Sequence, residues 1–321
     1  MKILLTNLFL QGNTGSESFI YTLAKELRDL GHDVVIYYHN HGWFGDKVKK
    51  EGFECWHNPN KADYKLPHTN FDVIHFQHRE TVDRIYHQVK HIPKLFLSHG
   101  ILPAPEQPLP HLSYPMEAYA GVSEETLRNC LTKAGVVPDD NNNIILRNLI
   151  DTERFFTYIP IHKELKNVLV ISNYMGRTPH YIGLLKQACV KLHLNLDIIG
   201  DAGNRVADTR DYIKNADLIV GLGRCAYEAM AMARNVLVFD YQGMEGLITG
   251  PEAYLDFRKF NLSGRFKNNT GVKLEEIINE LKKYKEEYGN LNRSLILQYH
   301  GSKKVAKKAE IFYKNLIENK K

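Results

Sequence analysis

Apolar residues in this chain come in short, nearly continuous runs separated by longer amphipathic stretches. "KILLTN" predicts a strand, "SESFIYTLAKELRDLG" a helix with an S-x-E start and a Gly stop at Gly31, and "DVVIYY" a second strand. "DVIHF", "KLFLS", "AYAGV" and "NIILR" continue the series as further strands divided by helical or turn segments. Strands that are apolar on both faces belong to parallel sheets covered by helices. After a polar stretch from Thr157 to Lys166 the alternation restarts: "NVLVIS", a helix through "YIGLLKQACVKL", "NLDIIG", a helix around "DYIKNA", "DLIVGL", another helix and "NVLVFD". From about Val272 the chain is helical and lysine-rich. The economical reading is α/β, with two doubly wound Rossmann-like domains at 1–158 and 159–301 facing across a cleft, and a final helix, 302–321, packing back on the first.

Length agrees with two domains: 321 residues suit a pair of about 150 each. Hydrophobic residues at 43% and charged residues at 25% are ordinary for globular chains and argue against disorder. The opening "MKILLTNLFLQGNTG" runs into an amphipathic helix without a small-residue cleavage site, so it reads as a buried strand and not a signal peptide. No run reaches the roughly 18 apolar residues of a membrane span. Cys55, Cys130, Cys189 and Cys225 are far apart with no C-x-x-C pair, which fits free thiols in a reducing cytosol. Residues 302–321 carry seven lysines and two glutamates, equal to the whole net charge of +5. That tail reads first as a solvated lysine face on a helix packed through Val305, Ala309, Phe312 and Leu316, with contact to an anionic membrane as its functional alternative.

The chemistry concentrates in "GLGRCAYEAMAMARNVLVFD", residues 221–240. A strand there hands over to a helix through a turn with two glycines and Arg224, which aims first-turn amides and a forked donor at an anion. Glu228, one turn further, is either a carboxylate at a favourable helix end or an acceptor for paired ribose hydroxyls. His87 and His91, and His75 and His78, are close in sequence but lack a third ligand at a recognisable spacing. "VPDDNNN" reads as a polar loop, and Walker, zinc and G-x-S-x-G signatures are absent.

"ADLIVGLGRCAYEAMAMARNVLVFDYQGMEG" resembles the donor motif of GT-B glycosyltransferases of the large, retaining family-four type. "NTGSESFIYTLAKELRDLGHDVVIYY", "FDVIHFQH", "LFLSHG", "GVSEETLRNC", "ILRNLIDTERF" and "NYMGRTPHYIGLL" resemble that family's other segments, in its order. The resemblance implies transfer of a hexosyl-type sugar from a nucleotide-sugar donor to a glycan or lipid-linked acceptor, with retention, in surface polysaccharide or glycoconjugate synthesis. It implies that Glu228 holds the ribose, that Gly176 and Arg177 touch the diphosphate and that the amides of Gly223 and Arg224 lie beneath the phosphates. It further puts Gly15 beside donor or acceptor and His99 near the transferred sugar, so that His99, Arg177 and Arg224 form the catalytic set. Val220 and Ile182 stand where the family usually has an acid and a lysine. Arg224 is the expected replacement for the lysine's charge, and His180 or Glu245, in the "QGMEG" loop, for the acid. The expectation is therefore a cytoplasmic enzyme, free of any metal or other cofactor, that binds no nucleic acid and meets the inner membrane face through its basic last helix. A non-catalytic GT-B protein that binds a nucleotide sugar or glycan is the alternative, suggested by Val220 and Ile182.

Overall fold

The computed structural model describes residues 1–320 other than 13, 60, 62, 139–141, 201, 202, 205 and 207, which leaves the paired acids Asp139 and Asp140 outside the described residues. In the first half the elements are β1 (Lys2–Leu10), α1 (Gly15–Asp29), β2 (Asp33–His41), α2 (Trp43–Lys50), β3 (Glu54–His57), β4 (Val73–Gln77), α3 (Arg79–Ile85), β5 (Lys94–Ser98), β6 (Ala118–Gly121), α4 (Glu124–Ala134) and β7 (Asn143–Ile145). In the second they are β8 (Asn167–Ser172), α5 (Pro179–Lys191), β9 (Asn195–Gly200), α6 (Arg210–Ile213), β10 (Leu218–Gly221), α7 (Gly223–Ala231), β11 (Asn235–Asp240), β12 (Gly243–Leu247), α8 (Pro251–Phe257), α9 (Leu274–Leu281), α10 (Glu287–Tyr299) and α11 (Ser302–Asn319).

The chain divides into two units, Met1–Leu149 with Ser302–Lys321, and Ile150–Gly301. The changeover falls at Leu149/Ile150, ahead of the polar stretch that marks 158/159 in the sequence, because Ile150 and Phe155 are buried in the second unit's core. Ile150 and Gly301 form a parallel bridge, and the Ile150 N–H donates to the His300 carbonyl at 2.8 Å.

The first unit has a seven-stranded sheet in the order β3-β2-β1-β4-β5-β6-β7, parallel throughout. Alternate residues serve opposite cores, which is why its strands lack a polar face: Ile3 and Leu5 join the core under α1 and α11, while Leu4 joins the other with Val82 and Ile85 of α3. The last helix completes the first of these cores with Val305, Ala309, Phe312, Tyr313 and Leu316, and the Tyr313 hydroxyl lies 2.5 Å from His75 Nδ1. Its apolar face is thus already buried, leaving only the lysine row for a charged partner.

The second unit has a five-stranded sheet, β12-β11-β10-β8-β9. All neighbours are parallel except β12, which runs antiparallel to β11 with a bulge at Val238/Phe239. The "QGMEG" segment, expected as a loop, is therefore largely this edge strand. Each sheet reverses its winding once, beside β1 in the first and between β8 and β10 in the second, and ligands of doubly wound sheets bind beyond the carboxyl ends of such strands. Among the described residues, no helix is long and apolar enough to cross a membrane.

Candidate functional site

Paired strands β8 and β10 end side by side, with Gly221 opposite Ile171, so the turns that follow them are neighbours. After β10 the chain must turn abruptly into α7, and Gly223 does this at φ +54, a left-handed conformation that a Cβ would strain. The Gly223 N–H donates to the Leu262 carbonyl at 2.9 Å. This corrects the expected phosphate contact of that amide: it is already consumed, and the glycine serves backbone geometry.

One helical turn on, Arg224 Nε donates to Glu228 Oε1 at 2.8 Å, an i,i+4 pair whose side chains are only 12% and 11% exposed. Burial pushes the Glu228 carboxyl up, and the neighbouring Arg224 charge pulls it back. Arg224, expected to fork onto a diphosphate, thus spends its Nε on Glu228. The sequence reading missed the charges around this pair. Arg154 Nη2 lies 3.5 Å from Asp208 Oδ2, and Arg210 grips the same carboxylate through Nε at 3.0 Å and Nη2 at 2.5 Å. The Arg210 hydrogen bonds hold Asp208 down at about 2. The Arg154 charge lies near enough to lower the ionisation range of both Arg224 and Glu228. Its only trace in sequence is the arginine of "LIDTERF", aimed by Asp151, whose Oδ1 accepts the Arg154 N–H at 3.0 Å.

Beyond β8, Ser172 builds the neighbouring turn. Its hydroxyl accepts the N–H groups of Tyr174 and Met175 at 2.9 and 2.8 Å and donates to Asp240 Oδ2 at 2.7 Å. Met175 is the buried anchor of the turn, while Gly176 and Arg177 are exposed. The Arg177 guanidinium lies 4.9 Å over the Tyr174 ring, which packs at 5.3 Å against Tyr241. Asp240, another residue the sequence reading missed, is pushed by burial up to about 6. Ile182 is partly buried against the α5 side of the core.

Glu245 is wholly buried on β12, and its Oε1 accepts the N–H groups of Gly264 at 2.9 Å and Phe266 at 3.2 Å. This corrects its expected role toward a sugar: it ties down the 263–266 turn. Burial raises it from 4.5 to about 7, so its ionisation opposes folding, and the stability it allows at acid pH is lost as the pH rises from about 4.5 through 7. Glu245→Gln is expected to be insensitive to that change, so thermal melts of variant and wild type should move apart in the variant's favour between pH 5 and pH 8. A constant difference would show that Glu245 titrates alike in both states.

In the first unit Gly15 opens α1, and a side chain there would meet no atom within 4 Å. The preceding loop closes on its own carboxylate. Glu17 accepts the N–H groups of Gln11 at 2.5 Å, Gly12 at 3.0 Å and Thr14 at 2.9 Å. His99 follows β5; its Nε2–H donates to Gln77 Oε1 at 2.7 Å, and its ring stands edge-on to Phe19 at 4.7 Å. His78 Nδ1 accepts the Leu8 N–H at 3.2 Å, and burial holds both His75 and His78 at about 3. Among the described residues no three His, Cys, Asp or Glu side chains are grouped to hold a metal ion.

Solved structures with the same arrangement of strands and helices share little sequence with this chain. TarM of S. aureus, solved with fondaparinux, α-GlcNAc-glycerol and UDP, is 10% identical, with 97% of this chain and 99% of that one covered at a TM-score of 0.61. The lipopolysaccharide outer core galactosyltransferase WaaB is 11% identical, both chains covered completely, at 0.62. The chain has the GT-B fold. An α-glucosyltransferase solved with UDP and a 13-mer DNA containing an HMU base is also similar, 9% identical over 98% of this chain and 99% of that chain at 0.60. No protein-family profile and no curated protein sequence matches.

Within this GT-B chain, the predicted residues fall into separate groups. Arg177 and Gly176 sit on the turn after β8, Gly223, Arg224 and Glu228 on the start of α7 beside it, and Gly15 and His99 at the carboxyl edge of the first unit's sheet. Glu245 belongs to none of these groups.

Proposed function

We propose that this protein is a glycosyltransferase that moves a hexosyl-type sugar from a nucleotide sugar to a glycan or lipid-linked acceptor, with retention and without a metal ion. The observation that carries this reading is the pairing of Arg224 with Glu228 at the start of α7, with an exposed Arg177 on the turn that follows the adjoining strand β8. An oriented carboxylate suits the two hydroxyls of a ribose, and an exposed arginine beside it suits the phosphates attached to that ribose. Breaking the sugar–phosphate bond puts charge on the departing diphosphate, which Arg177 and the dipole of α7 stabilise more strongly as the bond breaks. In this reading His99, oriented by Gln77, and Gly15 border the transferred sugar. The lysine row of α11 would hold the enzyme at an anionic cytoplasmic membrane face during surface-glycan synthesis.

Two of the similar structures contain UDP, which makes UDP-sugars the first donors to try. Incubation with a panel of nucleotide sugars should give slow release of free nucleotide, undiminished by EDTA, because arginine and helix dipole supply the positive charge. Loss of turnover with EDTA and recovery with manganese would refute the metal-free site. Val220 and Ile182, in place of the acid and lysine of the resembled family, favour a second reading as a nucleotide-sugar-binding protein without turnover. Saturable donor binding with no nucleotide release, with or without acceptor extract, would select it.

A further inference from the structure

The loop after β5 carries a carboxylate that the donor-side chemistry does not use. Ser98 Oγ and Gln107 Nε2 both donate to the Gly100 carbonyl, at 2.9 and 3.2 Å, and Asn129 of α4 holds Gln107 Oε1 at 2.7 Å. The Glu106 N–H closes the turn on Pro103 O at 3.1 Å. This framework folds Glu106 back over Gly100, the residue after His99, so closely that a Cβ on Gly100 would lie 2.6 Å from Glu106 Oε2. A side chain at that position would have to push the carboxylate aside. Among the described residues the carboxylate has neither a hydrogen-bond nor an ion-pair partner, and burial alone pushes it up to about 7. The residue is half-buried, so the carboxylate without a protein partner is left accessible to a ligand's hydroxyl group.

The charge pattern of the segment says what kind. Between Lys94 and Arg128 the chain has no lysine or arginine, and from Ser98 to Met116 Glu106 is its one formally charged residue. The loop's large exposed side chains, Leu102 and Leu112, are apolar. A phosphate placed here would meet an acid and no cation from this segment, whereas a hydroxyl would meet a hydrogen-bond acceptor.

Building on the glycosyl-transfer reading above, we infer that the Ser98–Gln107 loop is the acceptor subsite and that Glu106 accepts a hydrogen bond from the acceptor's hydroxyl, which makes the acceptor an uncharged polyhydroxylated molecule and not a phosphorylated one. In the transfer step the acceptor oxygen bonds to the anomeric carbon, the bond from that carbon to the diphosphate breaks, and the hydroxyl proton leaves with the departing phosphate oxygen. Glu106 holds the hydroxyl and takes no part in the bond exchange.

The test uses the full chain with the UDP-sugar selected by the donor panel, and measures UDP release against methyl glucoside, methyl galactoside and their 6-phosphates. Neutral glycosides should raise the rate over hydrolysis, with kcat/KM at least 10-fold above that of the 6-phosphates. Glu106→Gln should lower kcat/KM for the neutral glycosides by about 10-fold, chiefly through KM, as loss of one charged hydrogen bond requires. Glu106→Lys should shift the preference toward the 6-phosphates, a change that a merely structural residue would not produce. Preference of the wild type for the 6-phosphates, absence of stimulation by any glycoside, or unchanged kinetics in both variants would overturn the assignment. Donor hydrolysis that persists in those cases leaves the glycosyl-transfer reading standing, whereas absence of donor turnover removes both.

Discussion

Arg224→Ala is expected to destabilise the second unit by about 3–5 kcal/mol, the usual effect of removing one partner of a buried ion pair. Its melting midpoint should fall by on the order of 10 °C. Glu228 would then be a buried carboxylate with its principal counter-charge gone, and burial would drive it toward the neutral acid. Nucleotide affinity should therefore fall as well, by roughly one to two powers of ten. The double variant Arg224→Ala, Glu228→Ala should regain much of the lost stability and none of the affinity, because the stranded charge is gone but so is the ribose acceptor. Glu228→Gln alone should weaken binding of the nucleotide sugar by about 10-fold or more. Thermal melts and calorimetric titration with UDP decide the matter: an Arg224→Ala protein that melts and binds like wild type would reduce the pair to a surface contact.

The second large effect is catalytic. Arg177 is exposed on its turn and stacks on Tyr174, so Arg177→Ala should leave the melting midpoint nearly unchanged. Turnover should fall about 10- to 100-fold with a smaller change in the donor's KM, since the charge it meets grows as the sugar–phosphate bond breaks. Lysine in its place should restore part of the rate, because a point charge supplies the field but not the bidentate fork. A rise in KM with kcat intact would instead mean that Arg177 contributes uniform binding. The two arginines thus have separate expected signatures, stability for Arg224 and turnover for Arg177, although their sequence contexts suggest a shared clamp.

That difference shows how far the sequence could be read. The order of strands and helices was legible because a residue buried on both faces of a parallel strand must be apolar, as in "KILLTN" and "NVLVFD", and helices between them must be amphipathic. The start of α7 was legible because a sharp strand-to-helix turn needs a glycine such as Gly223. Which donor faces which acceptor was not. The Gly223 amide meets Leu262, Glu245 meets Gly264 and Phe266, and Asp208 binds both Arg154 and Arg210; the Leu262 and Arg154 pairings span 39 and 54 positions respectively.

The sequence by itself determined the alternation of elements, the glycine turns and the placing of Arg177, Arg224 and Glu228 near strand ends, since these follow from local backbone geometry and the period of apolar positions. Tertiary structure alone decided which of those groups have their hydrogen-bonding capacity already used. Glu245 looks like a candidate ligand in the chain, yet its Oε1 is turned onto the N–H groups of Gly264 and Phe266. Glu106 is held beside Gly100 with no partner among the described residues. The physical reason is that a buried polar group must be satisfied by whatever the fold brings within about 3 Å of it, and that proximity is set by packing between segments distant in sequence.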